Sequence, residues 1–289
     1  METKKTQTTK SPSGGLARVL TAVIALPILI ASILVPWLLW LFVAIAGVAL
    51  VIGLAEFYQL ARRPEVKPDR EAGFLAAIAI FTVSMFFNEA WVNLLLVQLI
   101  LIVLTAGTLI GATLRGAPFD KMIASTGATI LGVLYVAVLG SHLVQVRVGF
   151  KQLLAAHLLS FFFMVLMGAD VGAYYTGRTF GKHKLAPSIS PGKTWEGVGG
   201  GIVAALAMAA IAHFWFFNEL PLKWALPLAA VMTILGIFGD LTESALKRGA
   251  GAKDAAKLLP GHGGALDRLD SLLFNAPVIY YFARFYFNT

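Results

Sequence analysis

The sequence predicts an all-α fold: a polytopic membrane protein with about nine transmembrane helices and a cytoplasmic N-terminus. Three observations carry this. Of 289 residues, 58% are hydrophobic and only 13% charged, far more apolar surface than a soluble domain of this size can hide in one core. The apolar residues fall into nine runs, most close to the about 20 residues that cross a bilayer as a helix. The bases are divided unevenly between the gaps. With the N-terminus inside, 19 of the 23 Lys and Arg lie on the inner side, and Arg147, Lys151, Lys223 and Arg284 are the four outside. That is the asymmetry of cytoplasmic loops. A net charge of +8 then reads as loops lying against anionic lipid rather than as a nucleic-acid surface. Cys is absent, which excludes disulfides and thiolate metal sites.

In chain order, residues 1–17 form a polar tail expected to be disordered on the cytoplasmic side. The spans follow at 19–35, 37–60, 73–88, 91–113, 122–145, 152–176, 198–217, 222–239 and 269–287. The first follows Arg18 and has the outline of a signal peptide, but no small-residue cleavage site succeeds it, so it reads as an uncleaved span. Turn formers occupy the gaps: Arg62-Arg63-Pro64 with Pro68, Arg115 to Pro118, and Pro221. Pro36 either separates the first two spans or kinks them. The chain divides into the tail, N-terminal helices over 18–150, and a C-terminal region over 151–289 with two cytoplasmic loops, 177–197 and 240–268.

The stretch from Asp240 to Asp270 holds ten charges in 31 residues: Asp240, Glu243, Asp254, Asp267 and Asp270 against Lys247, Arg248, Lys253, Lys257 and Arg268, with His262 among them. Asp240, Ser244 and Lys247 recur at i, i+4, i+7 and share a helix face; Asp267 and Asp270 share another. Between the two faces stands Pro260-Gly261-His262-Gly263-Gly264, whose glycines let backbone N–H groups approach a ligand or form an anion nest. Such a set offers carboxylates for Mg²⁺ and cations for phosphate. Helix-end chemistry is the plainer reading of Asp267, Asp270, Lys247 and Arg248. It does not account for Asp240 at the end of an apolar span, or for the glycine run, and the balance favours a functional site.

The second loop places Arg178, Lys182, Lys184 and Lys193 among Gly and Ser, and continues through Ser188-Ile189-Ser190-Pro191-Gly192-Lys193-Thr194-Trp195-Glu196. Gly192-Lys193-Thr194 has the ending of a phosphate-binding P-loop, but Pro187 stands where its first Gly belongs. The loop can cradle a polyphosphate or a lipid phosphate, or merely touch anionic lipid. Asp170 lies in an apolar span, where an ionisable residue is a functional candidate. Gly168/Gly172 and Gly197/Gly201 have the spacing of close helix packing. Glu56 and Glu89 flank spans and read as interfacial, and His142, His157 and His213 as packing residues.

Ser244 to Asp270 resembles the signature of the phosphatidate cytidylyltransferases, or CDP-diacylglycerol synthases. It matches at Ser244, Lys247-Arg248, Lys253-Asp254, Pro260, His262-Gly263-Gly264, Asp267-Arg268 and Asp270. Ala265 departs from the pattern, where a larger aliphatic residue is usual. The upstream loop is similar as well, in Gly181-Lys182-His183-Lys184-Leu185-Ala186-Pro187 and in Ser190-Pro191-Gly192-Lys193-Thr194-Trp195-Glu196-Gly197. The close resemblance covers roughly 165–275; the first half matches only as apolar spans.

The resemblance implies transfer of CMP from CTP to phosphatidic acid, giving CDP-diacylglycerol and pyrophosphate. It implies Mg²⁺ as cofactor and an active site at the cytoplasmic face of a bacterial inner membrane, with membrane lipid and CTP as partners, no nucleic acid, and room for a homodimer. On this reading Asp240, Asp267 and Asp270 hold metal. Lys247, Arg248, Lys253 and Arg268 hold phosphates, Asp254 and His262 complete the catalytic set, and Lys184, Ser190, Lys193, Thr194, Ser244, Gly263 and Gly264 bind substrate. The rivals are cytidylyl transfer to, or CTP-dependent phosphorylation of, a different membrane lipid, and an ion-coupled transporter using Asp170 and Asp240. Transporter sites lie at the membrane midplane, whereas this charged stretch lies at the boundary.

Overall fold

The computed structural model describes residues 13–116, 119–251 and 264–287. Among these the chain forms nine helices: α1 Ser13–Leu34, α2 Pro36–Ala61, α3 Arg70–Phe86, α4 Ala90–Arg115, α5 Met122–Val148, α6 Gln152–Phe180, α7 Trp195–Trp215, α8 Leu222–Gly249 and α9 Leu266–Phe287. One small antiparallel hairpin, β1 Lys184–Ala186 with β2 Ser190–Thr194, interrupts them, paired from Lys184↔Thr194 to Ala186↔Ser190. Six of the helices, α2 and α4 to α8, are long and apolar enough to cross a membrane, so the protein is a helical integral membrane protein. The other three are shorter or more polar: α1 contributes Ile24–Leu34 as its apolar part, α3 has 17 residues, and α9 opens on a charged turn.

The helices run up and down, and their polar ends meet in two layers. At one end Arg115 pairs with Asp69 (3.2 Å), Lys121 with Glu65 (2.9 Å), and Arg63 donates to the Ala250 carbonyl (3.1 Å). These contacts join the α2–α3, α4–α5 and α8–α9 connections. At the other end Arg147 reaches the Ser32 carbonyl in the last turn of α1 and the Val35 carbonyl just past it, and His157 pairs with Glu219 (3.1 Å). The core is largest around α6, α7 and α9, with Phe161, Phe162, Val165, Ala205, Ala209 and Ile279 buried together. Half of α6's apolar window is buried against 11% of α4's, so α6 is central and α4 faces lipid. In α5 a π-helical segment, Val133–Val138, interrupts the α-helix and brings Tyr135 against Phe57 and Phe274.

α6 and α7 approach through glycine. A Cβ on Gly172 would run into the Ala204 Cβ and lie 2.7 Å from the Gly200 carbonyl oxygen, and those on Gly197 and Gly201 would lie 3.0 Å from the Ala173 and 3.1 Å from the Ala169 carbonyl oxygens. Only a hydrogen side chain fits at Gly172, and at the other two a Cβ would press on backbone. The expected role of Gly168/Gly172 and Gly197/Gly201 in packing therefore holds.

Three boundaries differ from the sequence reading. α1 begins at Ser13, so 13–17 is helical; residues 1–12 lie outside the described residues. The expected loop 177–197 shrinks, because α6 continues to Phe180, α7 starts at Trp195, and a hairpin fills the gap. The expected loop 240–268 begins only after Gly249, because α8 continues through Asp240, Glu243 and Lys247. That polar turn survives beside an apolar span because its charges pair along one face and turn inward. Glu56 is also not interfacial: it is fully buried.

Candidate active site

α8 loses its apolar character at Gly239, where a Cβ would meet the Asp270 carbonyl oxygen at 2.5 Å. The backbones of α8 and α9 touch there, so the side chains that follow on α8 face the first turns of α9. Asp240, Glu243, Ser244 and Lys247, spaced three and four apart, share that face. Ser244 donates its hydroxyl to Asp240 Oδ1 (3.4 Å). Lys247 Nζ sits between Glu243 Oε2 (2.6 Å) and Asp267 Oδ1 (2.7 Å). Asp267 Oδ2 in turn accepts the Gly264 N–H (2.9 Å) at the start of α9. One turn on, Asp270 is buried and accepts the hydroxyl of Ser271 (3.1 Å).

Asp240, Glu243 and Asp270 converge, with one carboxylate oxygen from each lying within 4.8 Å of the others. Three carboxylates this close repel one another unless a cation or protons intervene. Glu243 is 1% exposed, and its Oε1 is buried without a hydrogen-bond partner among the described residues. A buried carboxylate oxygen left unsatisfied costs several kcal/mol, and the set consists of hard oxygen donors, so it fits Mg²⁺.

The hairpin closes over this cluster. Lys193 reaches Asp240 Oδ2 (2.6 Å), and Arg248 donates to the Ile189 carbonyl (3.3 Å). At its root Thr194 caps α7 by accepting the Gly197 N–H (3.1 Å), and Glu196 accepts from the His183 N–H (3.2 Å) while its Oε1 lies 2.6 Å from His183 Nδ1. Beneath the hairpin lies a cavity of about 750 Å³ bounded by α6, β2, α8 and the start of α9. Its polar lining includes Asp170, Arg178, Ser190, Lys193, Thr194, Thr233, Asp240, Glu243, Lys247, Asp267, Asp270 and Ser271. Asp170 lies ten residues before the end of α6, about 15 Å down the helix, so the cavity runs from the charged rim into apolar depth beside Leu166 and Ala169.

Of the residues singled out from sequence, Asp240, Lys247, Asp267, Asp270, Ser190, Lys193 and Thr194 come together around this cavity. Ser244 is buried behind Asp240, and Gly264 holds Asp267. Arg248 and Lys184 are exposed, outside the lining, as is Arg268 on α9. Lys253, Asp254, His262 and Gly263 lie outside the described residues. The convergent acids are Asp240, Glu243 and Asp270, while Asp267 is engaged by Lys247. Sequence reasoning set Glu243 aside; its i, i+4 spacing to Lys247 was the available signal.

The chain matches the model of a family described as the cytidylyltransferase family over residues 16–286. A Haemophilus influenzae protein named phosphatidate cytidylyltransferase is 46% identical over 134 residues, 45% of this chain and 46% of that protein. Proteins of the same name from Bacillus subtilis and Pseudomonas aeruginosa are 47% identical over 118 residues and 50% over 117, covering 41% and 40% of this chain and 44% and 43% of those proteins. The chain thus spans under half the length of the curated relatives it matches.

Proposed function

We propose, because the chain belongs to the cytidylyltransferase family, that it transfers CMP from CTP to phosphatidic acid, giving CDP-diacylglycerol and pyrophosphate. The observation that carries this reading is the cavity: a carboxylate cluster and the Lys193 ammonium at its rim, with apolar walls below. A soluble triphosphate reaches the rim from water, and a phosphate head group reaches it from the bilayer. All nine helices are read as spans with the N-terminus in the cytoplasm of a bacterial inner membrane. That reading is supported by the bases at the Arg63, Arg115, Lys121 and Lys193 end.

The nucleophile is a phosphate monoester oxygen, largely ionised near neutral pH since its second pKa is about 6. No general base is therefore required. The difficulty is to bring one anion onto the α-phosphorus of another while pyrophosphate departs. Asp240, Glu243 and Asp270 would hold Mg²⁺, which supplies neutralisation of phosphate charge when bound. Lys193, now on Asp240, is placed to exchange that carboxylate for a phosphate oxygen. Arg178 lines the same wall. Lys247, clamped by Glu243 and Asp267, fixes the Glu243 side chain facing Asp240 and Asp270. Ser190 and the Gly192 backbone offer uncharged contacts at the hairpin.

Labelled CTP does not cross membranes, so one experiment tests both reaction and facing. Inverted membrane vesicles carrying the protein, supplied with labelled CTP, phosphatidic acid and Mg²⁺, are expected to form lipid-extractable CMP, and right-side-out vesicles none. Thorough chelation is expected to stop the reaction. No labelled lipid in inverted vesicles, or turnover undiminished by chelation, would sink the reaction or the metal respectively.

A further inference from the structure

We infer that Glu56, in the N-terminal half of the chain, is a positioning residue of the active site: it sets where α9 carries Asp270 against Asp240 and Glu243 of α8. Glu56 is fully buried in α2. Its Oε1 accepts the Ala265 N–H (2.9 Å) and its Oε2 the Leu266 N–H (2.7 Å), across 209 and 210 residues of sequence. Both oxygens are thus spent on the first N–H groups of α9, where the helix dipole favours an anion. Burying a carboxylate is costly, and two charge-assisted bonds offset that cost here. A cap from α9's own lead-in would satisfy the same groups without burying a distant acid. What the long-range acid adds is registry between α2 and α9.

A second contact repeats the pattern at the other helix. Just past the end of α2, Arg63 donates through Nη1 to the Ala250 carbonyl (3.1 Å) and through Nη2 to the Gly249 carbonyl. These are the orphan carbonyls at the end of α8. The α2 segment therefore grips the last turn of the helix that bears Asp240 and Glu243 and the first turn of the helix that bears Asp270. Packing closes the same junction, since a Cβ on Gly53 would lie 3.1 Å from Leu269 Cδ1. Leu266 precedes Asp270 by one helical turn, about 6 Å, so a shift of α9 at Glu56 moves Asp270 directly. Displacements near 1 Å at a reacting centre cost about a hundredfold.

The inference rests on the proposed reaction only for its activity readout. Purified full-length protein in detergent is titrated with Mg²⁺ alone, following the metal-dependent rise in melting temperature, and in parallel CMP transfer is measured against Mg²⁺. In Glu56→Gln an NH₂ group faces a backbone donor. Outer-shell partners typically alter metal affinity 10–100-fold, and the Mg²⁺ concentration for half-maximal effect should rise by about that factor in both assays, with Glu56→Asp intermediate. A Gln variant that melts lower at every Mg²⁺ concentration but keeps the wild-type half-saturation would reduce Glu56 to a helix cap and overturn the inference. If Glu56→Gln does not fold, Arg63→Gln is read the same way: a raised half-saturation supports the inference and an unchanged one overturns it. Wild-type protein that responds to Mg²⁺ but transfers no CMP would remove the proposed reaction and leave the inference to the melting assay. Wild-type protein with no response to Mg²⁺ would remove both.

Discussion

In α1–α5 the buried ionisable side chains Glu56 and Arg147 end on backbone groups. In α6–α9 the carboxylates of Asp240, Glu243 and Asp270 face one another, and Lys247 bridges two acids. The first arrangement is closed, because each charge faces fixed dipoles that no ligand can displace. The second is open: Glu243 Oε1 has no partner among the described residues, and the Asp240–Lys193 pair holds two charges that a ligand could displace. Two glutamates of equal burial thus do opposite work. Burial alone does not mark a site; what the buried group faces does.

The sharpest way to break this contrast is Lys247→Met. It leaves Glu243 and Asp267 facing each other with no cation between them, and breaking such a buried pair costs about 3–5 kcal/mol. Lys247→Met is therefore expected to lose both stability and turnover, and adding Asp267→Asn should restore part of the stability. Chemical denaturation in detergent measures both; an undiminished midpoint in the single variant would contradict the bridge. Next is Asp270→Asn, where relief of carboxylate repulsion should hold or raise the melting temperature while CMP transfer falls about 10²–10³-fold or more. A variant that melts lower yet turns over normally would make the cluster structural. The smallest effect is expected at Arg147, on the closed side. Arg147→Met gives up three guanidinium contacts to the Ser32 and Val35 carbonyls, worth about 1–3 kcal/mol. Whatever protein folds should keep its turnover within about twofold, the site being remote. A large fall in turnover without loss of stability would put Arg147 into the open class.

How much of this could be read from the sequence depends on how far apart the partners lie. The helices were legible because apolar runs of bilayer length have few alternatives. The shared face of Asp240, Ser244 and Lys247 was legible because helical spacing is local. Glu243 lay one residue off that series, although Lys247 at i+4 marks it. Glu56 was not legible: an acid near the end of an apolar run usually sits at the interface, and its partners come 209 residues later. The hairpin was equally hidden. Ser190 to Thr194 carries no alternating pattern, and its pairing with Lys184–Ala186 is fixed by Glu196 and Thr194 at the root rather than by strand propensity.

The glycine contacts between α6 and α7 bear on how the cavity can change shape. With Gly172 against Ala204 and Gly200, Gly201 against Ala169, and Gly197 against Ala173 and Gly177, these two helices meet closely down to the root of the hairpin. Where a carbonyl oxygen of one helix faces a glycine of the other there is no side chain to re-rotamer, so sliding at those points drives backbone against backbone. The pair and its hairpin behave as a single stiff jaw carrying Asp170 and Lys193. The opposite jaw is α8 with α9, joined where Gly239 meets the Asp270 carbonyl. Rotation between the two jaws would widen the cavity, and the Lys193–Asp240 and Arg248–Ile189 contacts are the links across it that such a rotation breaks.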